Sequence, residues 1–329
     1  MSVSIKDIAK AAGVSPSTVS RALSDHPRIS LETKERIRRL AAEMGYSPSA
    51  VARSLVTQRT SIIGLAVAWV SDPFLARLVH GIEDTALEHG YTVILSSFYG
   101  APEREKEVLS ALRERRVDGI IVESSCIDAG HRPFLAQFGL PTVLINRPEY
   151  IYSVCTDNLH GGRLATDYLL DLGHSRIGYI AAERGRRTNL DRLEAYKKAL
   201  QGRGIAFDPA LVVLGDGYAR GGKEAMSRLL ALPSPPTAVF CYNDLTAIGA
   251  ALAVREAGLQ VPDDISLVGF DDIELAPYFH PPLTTVRQPA YELGRRAMEM
   301  VLALIADEQK ATTVMLEGEL VVRQSCRPL

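Results

Sequence analysis

The sequence predicts an α/β chain in two parts: a small all-helical head, then a body of two doubly wound parallel-sheet lobes. Three observations predict it. Residues 1–46 hold three short runs with apolar residues at helical spacing. From Ile62 onward, runs that are apolar nearly throughout alternate with amphipathic stretches, as in a parallel sheet covered on both faces. That alternation restarts after Asp157, which makes two lobes of the body. The 329 residues suit two or three domains, and 47% apolar residues suit a sizeable core.

In the head, Ile5, Ile8, Ala9 and Ala12 form one apolar helical face, and Gly13 suits a left-handed end to that helix. Ser15 caps a second helix with Pro16 at its first position, where a missing N–H does no harm. Val19, Ala22 and Leu23 face inward there, and Ser17, Thr18, Ser20 and Arg21 include the outward face. Ser30 caps a third helix whose buried stripe is Ile37, Leu40, Ala41 and Met44, closed by Gly45. Helix, tight glycine turn and short polar-faced helix is a helix-turn-helix pattern. Residues 1–60 carry ten Lys or Arg against five Asp or Glu, while the whole chain is -2. A basic head on an acidic body points to a polyanion at one end.

In the body, strands are expected at Ile62–Ala68, Tyr91–Ser97, Val117–Val122 and Pro141–Ile145. Helices are expected at Phe74–His89, Pro102–Arg116 and near Arg132–Phe138. After Asp157 come helix Gly161–Leu172, strand Arg176–Ala182, helix Leu190–Arg203, strand Leu211–Leu214 and helix Gly221–Leu232. Strand Ala238–Tyr242, helix Leu245–Ala257, strands Ile265–Phe270 and Leu283–Val286, helix Tyr291–Ile305 and final strands within Thr312–Val322 complete the chain. Ligands of such sheets lie beyond the carboxyl ends of the strands. The polar and aromatic residues there include Ser71, Asp72, Phe74, Phe98, Tyr99, Asn146, Arg147, Arg186, Thr188, Arg192, Tyr218, Asn243, Asp271 and Asp272. They suit hydroxyls, carbonyls or an anionic group, with rings for a flat ligand.

Several classes are disfavoured. No run of about 18 apolar residues spans a membrane, and the polar N-terminus has no signal-peptide core. The four cysteines are scattered without metal-ligand spacing, and the seven histidines form no cluster. No GxGxxG follows a strand, no GxxxxGK[ST] occurs, and no Ser-His-Asp set stands out. No catalytic residue, metal or cofactor is expected, and the expected location is the cytoplasm.

The run IKDIAKAAGVSPSTVSRAL (Ile5 to Leu23) resembles the head of the LacI/GalR family of bacterial transcription regulators. YSPSAVARSL (Tyr46 to Leu55) resembles the hinge of that family's purine-responsive members. Gly173-His174, Tyr242-Asn243-Asp244, Val261 to Ser266, Gly269 to Asp272 and Pro282 to Val286 follow in family order, so the resemblance covers nearly the whole chain. It implies a periplasmic-binding-protein-like body that closes on a small effector. The expected divisions are a head at 1–46, a hinge at 47–60, one lobe from 61–158 plus 289–318, and another from 159–288 plus 319–329.

The resemblance also implies residue roles. DNA contacts fall to Ser15, Pro16, Ser17, Thr18, Ser20, Arg21 and Thr33 in the head, and to Ala52 and Leu55 in the hinge. Pro16, Ser17 and Arg21 meet base edges, while Thr18, Ser20 and Thr33 meet phosphates. Arg21 can donate two bonds to a guanine, or it can pair with Asp25 one turn on. The hinge helix is too short to be stable alone and folds when DNA and a twin hold it. Leu55 wedges into the minor groove or packs between two hinge helices.

Effector contacts fall to Asp72, Phe74, Arg147, Thr188, Arg192, Tyr218, Asn243 and Asp271. Asn243 can instead cap the helix after it, and Asp271 a turn. Trp69 and Val70 depart from the small polar residues of many relatives. Asp72-Pro73-Phe74 resembles sugar-binding members, whereas the spacing from Arg186 to Arg192 resembles purine-responsive ones. The expected effector is a sugar or sugar derivative, with a purine or nucleoside as the alternative. A solute-binding protein without a DNA role is the alternative of another class. The expected partners are a near-palindromic double-stranded DNA operator, the effector and a second copy of the chain, with no membrane. With no heptad tail before Leu329, a homodimer is expected rather than a coiled-coil tetramer.

Overall fold

The head helices start and stop where side chains satisfy their open backbone groups. Helix α1 (Ile5–Ala12) begins at Ser4, whose N–H donates to the Asp7 carboxylate at 2.9 Å, and ends at Gly13 with φ 65. Helix α2 (Pro16–Leu23) is capped by the Ser15 hydroxyl, which accepts the Thr18 N–H at 3.1 Å. Helix α3 (Leu31–Glu43) is capped by Ser30 in the same way. The three helices meet on Ile8, Ala9, Ala12, Val19, Ala22, Ile37 and Ala41, all buried. Ile5, Leu23, Leu40 and Met44, which the helical spacing also places on the inward stripes, pack against this set half-buried.

This computed structural model describes residues 3–46, 59–123, 139–182, 187–308 and 313–329. It divides into two compact units, Met1–Thr60 and Ser61–Leu329. The expected hinge from Ser47 on, the helix near Arg132–Phe138 and Arg186 lie outside the described residues.

The second unit holds two six-stranded sheets. The first runs β11-β5-β4-β3-β1-β2, with β1 (Ile62–Val67), β2 (Thr92–Ser97), β3 (Gly119–Glu123), β4 (Thr142–Ile145), β5 (Ser153–Thr156) and β11 (Val314–Leu316). Its pairings are parallel, with Ile63 opposite Val93 on one side and Gly119 on the other. Successive residues of β1 serve opposite faces. Ile63, Leu65 and Val67 meet Leu78 and Ile82 of α4 (Pro73–Glu88) and Leu293 and Met298 of α10 (Ala290–Ile305). Ala66 and Ala68 join Leu109 and Leu112 of α5 (Pro102–Glu114). Both faces are buried, which is why the strand reads apolar throughout.

The second sheet runs β12-β10-β9-β8-β6-β7, with β6 (Ile177–Ala181), β7 (Val212–Leu214), β8 (Ala238–Cys241), β9 (Ser266–Asp271), β10 (Thr284–Arg287) and β12 (Glu319–Val321). One face packs on α6 (Asn158–Asp171) and α7 (Arg187–Gly202) through Leu169, Tyr196, Phe240 and Phe270. The other packs on α8 (Ala219–Leu230) and α9 (Asp244–Glu256) through Met226, Leu229, Ala250 and Val254. Between the helices α4 and α10 the backbones nearly touch: a Cβ on Gly81 would stand 2.1 Å from the Tyr291 carbonyl oxygen.

Three features differ from the sequence reading. Strand β5 is new: its four buried residues join β4 and β11, and so short a run has no readable period. Helix α7 begins at Arg187, ahead of the expected Leu190, and this places Thr188 and Arg192 on one helical face. The last expected strand region divides between the sheets. β11 joins the first in parallel, and after Glu317 and Gly318 β12 joins the second antiparallel to β10. The chain thus passes between the sheets after β5, after β10 and after β11.

Candidate functional site

On the head, α2 presents Pro16, Ser17, Ser20 and Arg21 as exposed residues, with Thr18 half-buried. The Ser15 hydroxyl bonds both Ser17 and Thr18 hydroxyls at 2.8 Å, tying three polar side chains to the start of the helix. Thr33 occupies the matching place on α3, 2.9 Å from the Ser30 hydroxyl. Exposed N–H groups and hydroxyls at helix starts are suited to phosphate oxygens. Asp25 does not pair with Arg21. It is held by Lys34 at 3.0 Å and Arg38 at 2.8 Å, which keep its carboxyl below the usual range. Among the described residues the Arg21 guanidinium has no ion-pair partner, so its fork faces solvent. Ala52 and Leu55 lie outside the described residues.

In the second unit, a cleft with about 610 Å³ of atom-free space, part of it open to solvent, lies at the carboxyl ends of both sheets. The first sheet contributes Ala68 and Trp69 after β1, Glu123 at the end of β3 and Asn146 after β4, with Asp72 and Phe74 at the start of α4. The second contributes Tyr242 and Asn243 after β8, Asp271 at the end of β9 and Gln288 after β10, with Arg187, Thr188 and Arg192 from α7.

Arg192 is 2% exposed, and its guanidinium carbon lies over the rings of Phe270 (3.5 Å) and Tyr242 (4.7 Å). Its Nε donates to Asn158 Oδ1 at 2.9 Å and its Nη1 to the Tyr242 carbonyl. Stacked and bonded, the guanidinium is held fixed at the wall of the cleft. Asp271 adopts φ 113, a strained backbone for a residue with a Cβ, and its Oδ1 accepts the Gln288 amide at 2.6 Å. Burial drives its carboxyl well above the usual range against the pull of Arg192. Asn243 caps α9, its Oδ1 accepting from Thr246 N–H and hydroxyl, while its Nδ2 donates to the Gly217 carbonyl. Thr188 shares a 2.9 Å hydrogen bond with the Tyr242 hydroxyl. Asp72 caps α4 by accepting the Phe74 N–H at 3.0 Å, and Glu123 accepts the Ala68 N–H at 3.3 Å.

Six of the eight expected effector residues line the cleft; Arg147 and Tyr218 do not. The chain turns left-handed at Asn146 (φ 58), which leaves Asn146 on the cleft and Arg147 buried against Glu149 at 2.9 Å. Tyr218 instead meets Trp69, with ring centroids 6.1 Å apart. The sequence reading passes by Glu123, Arg187, Tyr242 and Gln288, although Glu123, Tyr242 and Gln288 also stand at strand ends. Three carboxylates and two guanidiniums around aromatic faces suit a ligand rich in hydroxyls: carboxylates accept, guanidiniums donate, and a ring face rests on rings.

Comparison with known proteins follows the same division. Residues 4–49 match the family model described as bacterial regulatory proteins, lacI family, and residues 166–326 match the periplasmic binding protein-like domain. The chain is 37% identical to the HTH-type transcriptional repressor PurR of Photobacterium profundum, over 99% of each chain. It is similar to the lac repressor dimer bound to operator and the anti-inducer ONPF, at TM-score 0.92 and 29% identity, covering 99% and 100% of the two chains. It is also similar to the transcriptional regulator CelR in its cellobiose complex, at TM-score 0.77 and 31% identity over 98% and 99%.

Proposed function

Because the chain belongs to the LacI family of bacterial regulatory proteins, we propose that it represses transcription as a homodimer on a near-palindromic operator, under control of a small neutral sugar held in the cleft. The observation that carries the DNA reading is the exposed α2 face, with Arg21 free of Asp25, on a head of basic charge. Arg21 and Ser17 read base edges; Ser15, Thr18, Ser20 and Thr33 position the head on phosphates. Ala52 and Leu55 fall in the hinge proposed at 47–60, between the head at 1–46 and the two lobes in sequence, and meet the minor groove in this reading. No catalytic step is part of this reading, and the protein works in the cytoplasm, beside the chromosome.

The sugar reading rests on the carboxylates Asp72, Glu123 and Asp271 in the cleft. Asp72 and Glu123 disfavour a phosphate or carboxylate on the ligand, while Asp271, whose carboxyl burial drives well above the usual range, bonds hydroxyls without repelling an anion. The solved relative with cellobiose shows a sugar ligand in that regulator. The homodimer reading is supported by an apolar hollow of about 430 Å³ on the second lobe, lined by Ile248, Leu252, Leu259, Val261 and Phe279, and by the exposed Leu275 and Tyr278 close by in the chain. Effector binding shifts the DNA-bound population only as far as its affinity differs between the two lobe arrangements.

The test has two arms. Duplexes selected from a random library are titrated by fluorescence anisotropy at several salt concentrations; a specific duplex with a steep salt slope supports the reading. A thermal-shift screen then compares sugars, sugar phosphates, nucleosides and purine bases. A ligand at ~100 times its Kd stabilises by ~2.7 kcal/mol, well within detection. Indifference to every duplex together with tight solute binding would replace the regulator with a solute-binding protein.

A further inference from the structure

Aromatic rings meet beside the cleft, between the two lobes. Trp69 follows β1 in the first lobe, and Tyr218 precedes α8 in the second. Their rings meet edge to face, with centroids 6.1 Å apart at 82°. Tyr99 meets the same indole from within the first lobe at 6.0 Å and 78°. Both sides of this contact are held in place. Gly100, at φ 67, makes room for the indole: a Cβ there would stand 3.1 Å from Cζ2 and Nε1. On the other side, Asp216 Oδ1 accepts the Tyr218 N–H at 2.8 Å, and the neighbouring Gly217 carbonyl is fixed by Asn243 at 3.0 Å. Trp69 lines the cleft, and its buried indole N–H has no acceptor among the described residues.

We propose that Trp69 sets the specificity of the cleft: through its contact with Tyr218 it bars the mouth, so that the cleft accepts one neutral sugar-sized ring and excludes a ligand with a second ring. This deepens the sugar-effector reading above and rests on it. The ring enters when the lobes part and is enclosed when Trp69 and Tyr218 meet again. A second ring, as in a disaccharide or a nucleoside, would stand where the indole meets the tyrosine.

Trp69 is the single tryptophan of the chain, so intrinsic fluorescence reports on this position alone. Acrylamide quenching of the full-length, unliganded protein is compared with that of Tyr218→Ala. The quenching constant is expected to rise several-fold in the variant; equal constants would overturn the gate whatever the ligand. Thermal shifts are then measured with D-ribose, D-glucose and D-galactose against cellobiose, cytidine and adenosine, on wild type, Trp69→Ala and Trp69→Leu. The expected result is a wild-type shift with single-ring sugars only, and a new shift with a two-ring probe in at least one variant. A wild type that already shifts with a two-ring probe overturns the size limit, and if Arg192→Ala removes that shift, the cleft reading itself stands. If no probe shifts any of the proteins, the sugar reading fails and the quenching comparison decides the gate.

Discussion

Gln288 donates its side-chain amide to the Asp271 carboxylate at 2.6 Å, and its carbonyl accepts the Thr156 hydroxyl at 2.7 Å. Asp271 lies in the cleft, while Thr156 and Gln288 stand where the chain passes between the sheets. Whatever moves Asp271 therefore pulls on two crossings at once. Gln288→Ala is expected to bring the ratio of operator affinities with and without effector close to one, a loss of about 1–3 kcal/mol of coupling. Ligand affinity should fall less than this ratio does. Anisotropy titrations with and without ligand measure both, and an unchanged ratio would remove Gln288 from the coupling.

Asp244 gives the body a pH dependence. Burial and the nearby Asp272 charge push its carboxyl up to about 7 from 3.8, against hydrogen bonds from the Thr285 hydroxyl and the Ile273 N–H. The folded state therefore holds a proton that the unfolded chain releases. The stabilisation is fully present below the ordinary value and is lost as pH rises through about 7. His174 works in the opposite sense: burial pushes it below its usual value, so its contribution is lost as pH falls. Asp244→Asn is expected to flatten the fall in Tm between about pH 4 and pH 7. The difference between the two Tm curves isolates Asp244 from His174, and parallel curves would show that Asp244 does not titrate there.

Arg21→Ala should weaken binding to the selected duplex by about 1–3 kcal/mol and relax preference at one base pair, with little change in head stability. Anisotropy against single-base variants of the duplex reads this. A uniform loss across all sequences would instead make Arg21 a phosphate contact.

Arg192→Ala is expected to abolish the thermal shift with effector and to lower the Tm of the unliganded protein. The second effect follows because Asn158 Oδ1 and the Tyr242 carbonyl lose a buried donor, at about 1–3 kcal/mol. Operator binding without effector should persist. A retained effector response with an unchanged midpoint would move the ligand out of this cleft.

Most of the fold and much of the cleft are legible in the sequence, for local reasons. Apolar runs mark the strands, and Asp72, Asn243 and Asp271 follow such runs directly, where an open parallel sheet gathers its ligands. Glu123 and Gln288 obey the same rule but carry no motif that singles them out. Arg147 misleads because the left-handed turn at Asn146 decides which of two adjacent residues faces the cleft, and residue type alone does not announce that turn. Strand β5 escapes because its partners, β4 and β11, lie one near and one far along the chain, so its existence is a tertiary fact.

The link between β11 and β12 limits what any ligand can do to this body. Only Glu317 and Gly318 separate a strand of one sheet from a strand of the other, a reach of at most roughly 11 Å between Leu316 and Glu319. Gly318 also lies against the preceding crossing, where a Cβ would stand 2.7 Å from the Arg287 carbonyl oxygen. So short a tether permits the lobes to swivel and forbids them to drift apart. On the regulator reading proposed above, a ligand would act on this body by choosing the angle at which the two sheets come to rest.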